Sequence, residues 1–410
     1  MKSQAPKNPA SLFITIGVVL VHVVVIGLIV WGCSNSGKNK PSGKDDEIKR
    51  AETETAENSA SDRSQTPAGG SLAELFANAN SGKPAVTKPA APAAKGLRVR
   101  SANPNFGKPL DFTGADHSNM PVKLVPKLAE WKGTGIIVDM DTRKVLWEKD
   151  SHKSVPVASM VKIMTMLLVA EEMERNPELT LDTKIPITAS AIKSLPERSG
   201  LLWLAPGEGF TVRELLLGVA VKSANDAATQ LGEKVGGSVE SFVARMNARA
   251  KELKLADTVF YNPCGLTDKQ RRNSKSSAAD MVILGERLLE YPFLLEMCST
   301  KQASIRDGKT VFVTTNKLIS PHYPGVDGLK TGYIRAAGSC LTFSALRNNR
   351  RIVGCVTGFA HARERDYFCR RLIDWAYDPQ SINKPRPGNR KAVAGKKTSV
   401  KKSNKKSRSK

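Results

Sequence analysis

The chain is poor in residues that hold metals. Its 410 residues include five histidines and six cysteines. None of the cysteines (Cys33, Cys264, Cys298, Cys340, Cys355 and Cys369) belongs to a Cys-x-x-Cys pair. His22, His117, His152, His322 and His361 do not form a His-x-x-x-His or comparable ligand set. A zinc peptidase is therefore not expected, and nothing in the sequence asks for a metal or cofactor. Cys340 and Cys355 fall on adjacent strand-like runs, where buried thiols are the simpler expectation. Acidic residues are also scarce, 39 against 63 Lys and Arg, for a net charge of +24. The shortage is complete between 384 and 410, a stretch that carries about half of the positive excess. With no apolar periodicity, residues 379–410 read as a basic disordered tail.

Long apolar runs are rare as well. The one that stands out, residues 12–31, is interrupted only by Thr15 and His22. At ~20 residues it is long enough to span a bilayer. Lys2 and Lys7 precede it, which favours an amino terminus inside and the rest of the chain outside. No small-x-small cleavage site follows, so 1–33 reads as an uncleaved anchor or, failing that, a signal segment. Gly32-Cys33 also resembles a lipoprotein processing site, although Trp31 fits that pattern poorly. Residues 34–119 are rich in Ser, Ala, Pro, Lys and Glu and read as a disordered linker. That leaves 120–378 as the folded part, long enough for one α/β body with a helical lobe.

Within it, three clusters fall in order: Ser159-Met160-Val161-Lys162, Ser223-Ala224-Asn225, and Lys330-Thr331-Gly332. Ser-x-x-Lys occurs six times, at Ser159, Ser190, Ser381, Ser399, Ser403 and Ser407. The last four lie in or beside the basic tail, and the copy at Ser190 runs into Pro196. Only Ser159 follows an extended Val155-Pro156-Val157 and opens an apolar run at 163–170, the pattern of a buried helix. Three residues apart on a helix, the Ser159 hydroxyl and Lys162 amine share a face. The positive end of the helix dipole favours an oxyanion there. To act as a base, Lys162 must be driven below its ordinary pKa by burial and a second cation such as Lys330. Thr211-Val212-Arg213-Glu214 is a capping box. The helix it starts ends at Ser223-Ala224-Asn225, and Asp226 is placed to cap the next helix, which runs to Gly236-Gly237. Lys330-Thr331-Gly332-Tyr333 reads as a strand opening a hairpin that continues through Asn348-Asn349. Each cluster alone is ordinary helix, turn or strand chemistry; together they supply a nucleophile, a base, a relay and a cationic carboxylate site.

The order and surroundings of these clusters resemble the serine D,D-peptidases, and most closely the low-molecular-weight D-alanyl-D-alanine carboxypeptidases. The likeness runs from about Trp131 to Tyr377. It includes Val145-Leu146-Trp147-Glu148-Lys149, Leu204-Ala205-Pro206-Gly207-Glu208, Asn262-Pro263-Cys264-Gly265-Leu266-Thr267, Thr315-Asn316-Lys317-Leu318 and Asp327-Gly328-Leu329. Val161 and Cys264 depart from the family pattern. The resemblance implies the serine β-lactamase/D,D-peptidase fold, an antiparallel sheet flanked by helices plus a mainly helical lobe. It implies Ser159 as nucleophile, Lys162 as base and Ser223 as relay. Asn225, Lys330 and Thr331 would bind substrate, Gly332 would leave room for its backbone, and the amides of Ser159 and Tyr333 would form the oxyanion hole. The implied reaction removes the terminal D-alanine from peptidoglycan stem peptides, with β-lactam antibiotics as covalent inhibitors. A D,D-endopeptidase or an inactive wall-binding scaffold are the alternatives. A β-lactamase is disfavoured, because no Glu-x-x-Leu-Asn stretch lies between Asn225 and Lys330. The compartment implied is the bacterial envelope, with the catalytic domain held outside the cytoplasm by the N-terminal segment. Outside the membrane the basic tail would rarely meet nucleic acid; it reads first as a solvated tail and second as a contact for anionic envelope polymers.

Overall fold

Residues 163–170 form the middle of helix α1 (Lys162–Arg175), and each of them is at most 2% exposed. A helix apolar on every side can only be stable inside a domain, so the rest of the fold is built around it. The computed structural model describes residues 97–99, 101–117, 131–193, 195–197, 199–319 and 323–383, all within the compact unit Pro89–Lys410. The expected anchor at 1–33 and most of the linker lie outside the described residues, as does the tail except at its start, where Pro379–Asn383 form a 3-10 turn and not the expected disorder. Among the described residues no helix is long and apolar enough to cross a membrane.

Seven strands and seven helices position the site. A five-stranded antiparallel sheet has the order β2-β1-β7-β6-β5. Its members are β1 (Gly135–Asp139), β2 (Val145–Lys149), β5 (Val326–Ile334), β6 (Gly338–Arg347) and β7 (Arg350–Phe359). Asn348 and Asn349 both take positive φ (51° and 59°) and join β6 to β7, with Arg347 opposite Arg350. That is the geometry of a two-residue hairpin turn, which asparagine tolerates. One face of the sheet is covered by α7 (Ala362–Tyr377), whose buried Arg365, Phe368, Cys369, Leu372, Ile373 and Ala376 recur at helical spacing. The other face meets α5 (Ala278–Leu289), which in turn packs on α1. The helical lobe holds α2 (Val212–Leu217), α3 (Asn225–Gly236) and α4 (Val239–Glu252), with α6 (Pro292–Ser299) against β5. A two-stranded hairpin, β3 (Gln302–Ile305) and β4 (Thr310–Val313), leads from α6 into β5. The capping box at Thr211 and Glu214 forms as expected. The antiparallel sheet flanked by helices and the mainly helical lobe expected from the motifs are both present. The five described cysteines are free and buried.

The linker assigned to 34–119 is corrected at its far end: residues 97–117 are laid along the domain. Asp111 and Asp116 bridge in parallel to Lys144 and Trp147, covering edge strand β2. Arg98 forms a two-pronged ion pair with Glu290, and the Gly107 amide donates to Glu286 Oε1 at 3.2 Å. The physical reason is that the folded part buries acceptors on and just after α5: Glu286 is met by Arg143 and the Gly107 amide, and Glu290 by Arg98 as well as Arg287. The opposite edge strand, β5, carries Lys330-Thr331-Gly332.

Candidate active site

Ser159 stands on a single 3-10 turn, Ala158–Val161, that feeds directly into α1. Val157, Met160 and Val161 are each 0% exposed and plug the core, so the turn is anchored on both sides of a half-buried Ser159. Ala158 is held at φ 49°, a left-handed conformation unfavourable for a residue with a side chain. The turn is held from both flanks. On one side lies Gly265, where an added Cβ would fall 2.0 Å from the Ala158 carbonyl oxygen. On the other lies Gly332 of β5, where a Cβ would meet the Val157 oxygen at 2.8 Å and the Ser159 amide nitrogen at 3.2 Å. Beside the expected room for a substrate backbone, Gly332 thus gives room to the turn that carries Ser159. Gly332→Ala must push β5 away from Ser159. Since displacements of about 1 Å in a catalytic site cost roughly 10²-fold, acylation by a labelled penicillin is expected to slow by that order, with the far-ultraviolet dichroism retained.

Lys162 is fully buried and its amine has three partners. Nζ lies 3.0 Å from Ser159 Oγ, 2.7 Å from Asn225 Oδ1 and 2.6 Å from the Cys264 carbonyl oxygen. Two of the three, an amide oxygen and a peptide oxygen, can only accept. They claim two N–H bonds, so the remaining tetrahedral position faces the one partner able to donate, the Ser159 hydroxyl. In the neutral amine that position is the lone pair. Burial pushes Lys162 down to about 8, against the opposing pull of Cys264 and Asp226. Lys330, 1% exposed on β5, is lowered well below the usual lysine range by burial first and by Lys162 second. The expectation that a second cation lowers Lys162 is therefore adjusted: burial is the main cause there, and the mutual repulsion is felt at Lys330.

Asn225 opens α3 and is 3% exposed. Its Oδ1 accepts from Lys162 at 2.7 Å, and the expectation that it binds substrate then falls to its amide nitrogen. Ser223 sits at φ 63° between the π-helical turn Gly218–Lys222 and α3, two residues before Asn225, and makes none of the Lys162 hydrogen bonds. Asp226 does not cap α3; Ala224 is the N-cap. The buried Asp226 carboxylate accepts from the Leu202 and Leu204 amides, which fixes the neighbouring loop, and from the Ala227 amide in the first turn of α3. Lys330 Nζ donates to the Thr331 carbonyl at 3.0 Å, Thr331 is 6% exposed, and Tyr333 is 65% exposed at the same strand end. So Ser159, Lys162, Asn225, Lys330, Thr331 and Gly332 converge around the Ser159 turn, with Tyr333 following at the rim.

Sequence reasoning missed the backbone of Cys264. Asn262 Oδ1 accepts from the Cys264 and Gly265 amides and so closes the turn that aims the Cys264 carbonyl at Lys162. Thr165 Oγ1, one turn along α1 from Lys162, donates to the Pro263 carbonyl at 2.6 Å and pins the same turn. The Cys264 thiol, the family departure, is 3% exposed and donates to Asn262 Oδ1 at 3.3 Å.

The family model described as D-alanyl-D-alanine carboxypeptidase, peptidase S11, matches residues 128–360. The chain belongs to that family. It is 37% identical over 271 residues to D-alanyl-D-alanine carboxypeptidase DacF of Bacillus subtilis (strain 168), covering 65% of this chain and 68% of that one. It is 32% identical over 244 residues to D-alanyl-D-alanine carboxypeptidase DacC of Escherichia coli (strain K12), covering 59% of this chain and 60% of the relative. Among solved structures, penicillin-binding protein D2 of Listeria monocytogenes in its cefotaxime-bound form is similar, with a TM-score of 0.53 and 28% identity. That match covers 60% of this chain and 96% of the Listeria chain. The serine carboxypeptidase class read from the three clusters is thus the class of the family.

Proposed function

We propose that this carboxypeptidase removes the terminal D-alanine from peptidoglycan stem peptides through an ester on Ser159, with Lys162 as the base. The observation that carries the reading is the Lys162 amine held by two acceptor-only oxygens with its third direction at 3.0 Å from Ser159 Oγ. Ser159 Oγ attacks the carbonyl carbon of the penultimate D-alanine while its proton passes to Lys162. The amides of Ser159 and Tyr333 hold the oxyanion. Collapse breaks the peptide bond, and the departing amine leaves as free D-alanine with a proton relayed through Ser223. Water then hydrolyses the ester, with Lys162 again taking the proton. The terminal carboxylate rests against Lys330 and Thr331; its negative charge offsets the burial penalty on the Lys330 ammonium. The Asn225 amide nitrogen is left to donate to a substrate carbonyl. β-Lactams acylate the same serine. Residues 12–31 anchor the chain, the domain works outside the cytoplasm in the bacterial envelope, and the basic tail rests on anionic polymers there.

The test uses the full-length chain with a stem pentapeptide and with cross-linked muropeptide dimers. Free D-alanine from the pentapeptide is the expected product. Cleavage confined to the dimer would turn the assignment to an endopeptidase, and no turnover of either would leave a scaffold.

A further inference from the structure

Thr315 belongs to none of the three clusters, yet its hydroxyl lies 2.7 Å from the Thr331 hydroxyl. We infer that Thr315 is a positioning residue for the substrate's terminal carboxylate, donating its proton to Thr331 so that the Thr331 O–H is free to point at the substrate. The inference rests on the proposed grip of Lys330 and Thr331 on that carboxylate.

A hydroxyl has one proton to give and can accept twice. Across a single Oγ···Oγ hydrogen bond one threonine must donate and the other accept. A carboxylate can only accept, so once it is bound, Thr331 must spend its proton there, and the shared bond needs Thr315 as donor. Thr315 is placed rigidly enough for this. Its amide donates to the Val221 carbonyl at 3.1 Å, in the π-helical turn that ends at Ser223. Asn316, the next residue and 3% exposed, donates through its side-chain nitrogen to the Gly328 carbonyl of β5 at 3.3 Å. Thr315 therefore joins the turn before the Ser223 cluster to the strand of the Lys330 cluster. It is itself exposed, whereas Thr331 is buried, so the hydroxyl pair lies where the strand meets solvent and a ligand can arrive. Its exposure also makes substitution benign for folding.

The test compares the full-length wild type with Thr315→Val, Thr315→Ser and Thr331→Val on two probes, N-acylated D-alanyl-D-alanine peptides ending in a free acid or in an amide. For the acid, Thr315→Val is expected to raise KM about tenfold with little change in kcat, the order expected for losing a hydrogen bond that serves a charged group. Thr315→Ser should behave as wild type, and the amide should be handled equally by wild type and Thr315→Val. Wild-type preference for the acid with Thr315→Val unchanged overturns the role of Thr315 alone. An equal loss on acid and amide also overturns it, as a general distortion of β5. A wild type that does not prefer the acid overturns the carboxylate grip, and this inference falls with it.

Discussion

Replacing Lys162 by alanine or arginine is expected to lower the rate of Ser159 acylation by roughly 10²–10⁴-fold, the range for loss of a general base. The arginine variant is the sharper test. A guanidinium keeps positive charge and N–H donors for Asn225 and Cys264, but it cannot be deprotonated, so it cannot accept the serine proton. If charge or hydrogen bonding at this position were all that mattered, arginine would be active. The same reasoning fixes the pH dependence. Burial lowers Lys162 to about 8, so the neutral amine becomes the major form only above that value. The acylation rate in the wild type should rise with pH up to about 8 and level off beyond it, while the arginine variant stays flat and slow. Stopped-flow or quench measurement with a chromogenic β-lactam reads both.

The largest expected effect on stability lies away from the chemistry. Glu286 and Arg143 form an ion pair with side chains 2% and 5% exposed, and burial penalises both charges. Removing one partner strands the other, since the Arg143 side chain is shut inside with its guanidinium otherwise bound only to the Lys108 carbonyl. Glu286→Ala is therefore expected to cost about 3–5 kcal/mol, the usual scale for an orphaned buried charge. Urea denaturation should register it as a lower midpoint, and the 97–117 segment should gain protease sensitivity because the Gly107 amide loses its acceptor. A change below about 1 kcal/mol would mean that this pair does not hold the segment. A fragment starting at residue 120 should be destabilised for the same reason, losing Arg98 from Glu290 as well.

What could be read from residues alone followed where the chemistry resides. The roles proposed for Ser159, Lys162, Asn225, Lys330 and Thr331 rest on side chains, and their spacing and apolar context place them on a helix start, a helix junction and a strand. Residues 163–170 are apolar on all sides, and a buried helix was the only reading of that run. The Cys264 carbonyl was out of reach because a backbone oxygen has no sequence identity; only Asn262-Pro263 and Gly265 hint that a tight turn aims it. Asp226 reads as a helix cap because Asp at a helix start usually is one; Ala224 takes that place, and the Asp226 carboxylate is shared between the Ala227 amide and two amides of the loop at 202–204. Residues 97–117 look like linker by composition. Their order comes from Glu286, Glu290 and Arg143, far along the chain, and no local pattern reports such partners.

The central claim is that one serine, on a turn clamped between Gly265 and Gly332, carries the acyl group. Intact-mass analysis of the full-length chain after exposure to benzylpenicillin, followed by peptide mapping, addresses it directly. One adduct per chain, located on Ser159 and absent from Ser159→Ala, is the predicted result; an adduct that persists in that variant, or maps to any other residue, would contradict it.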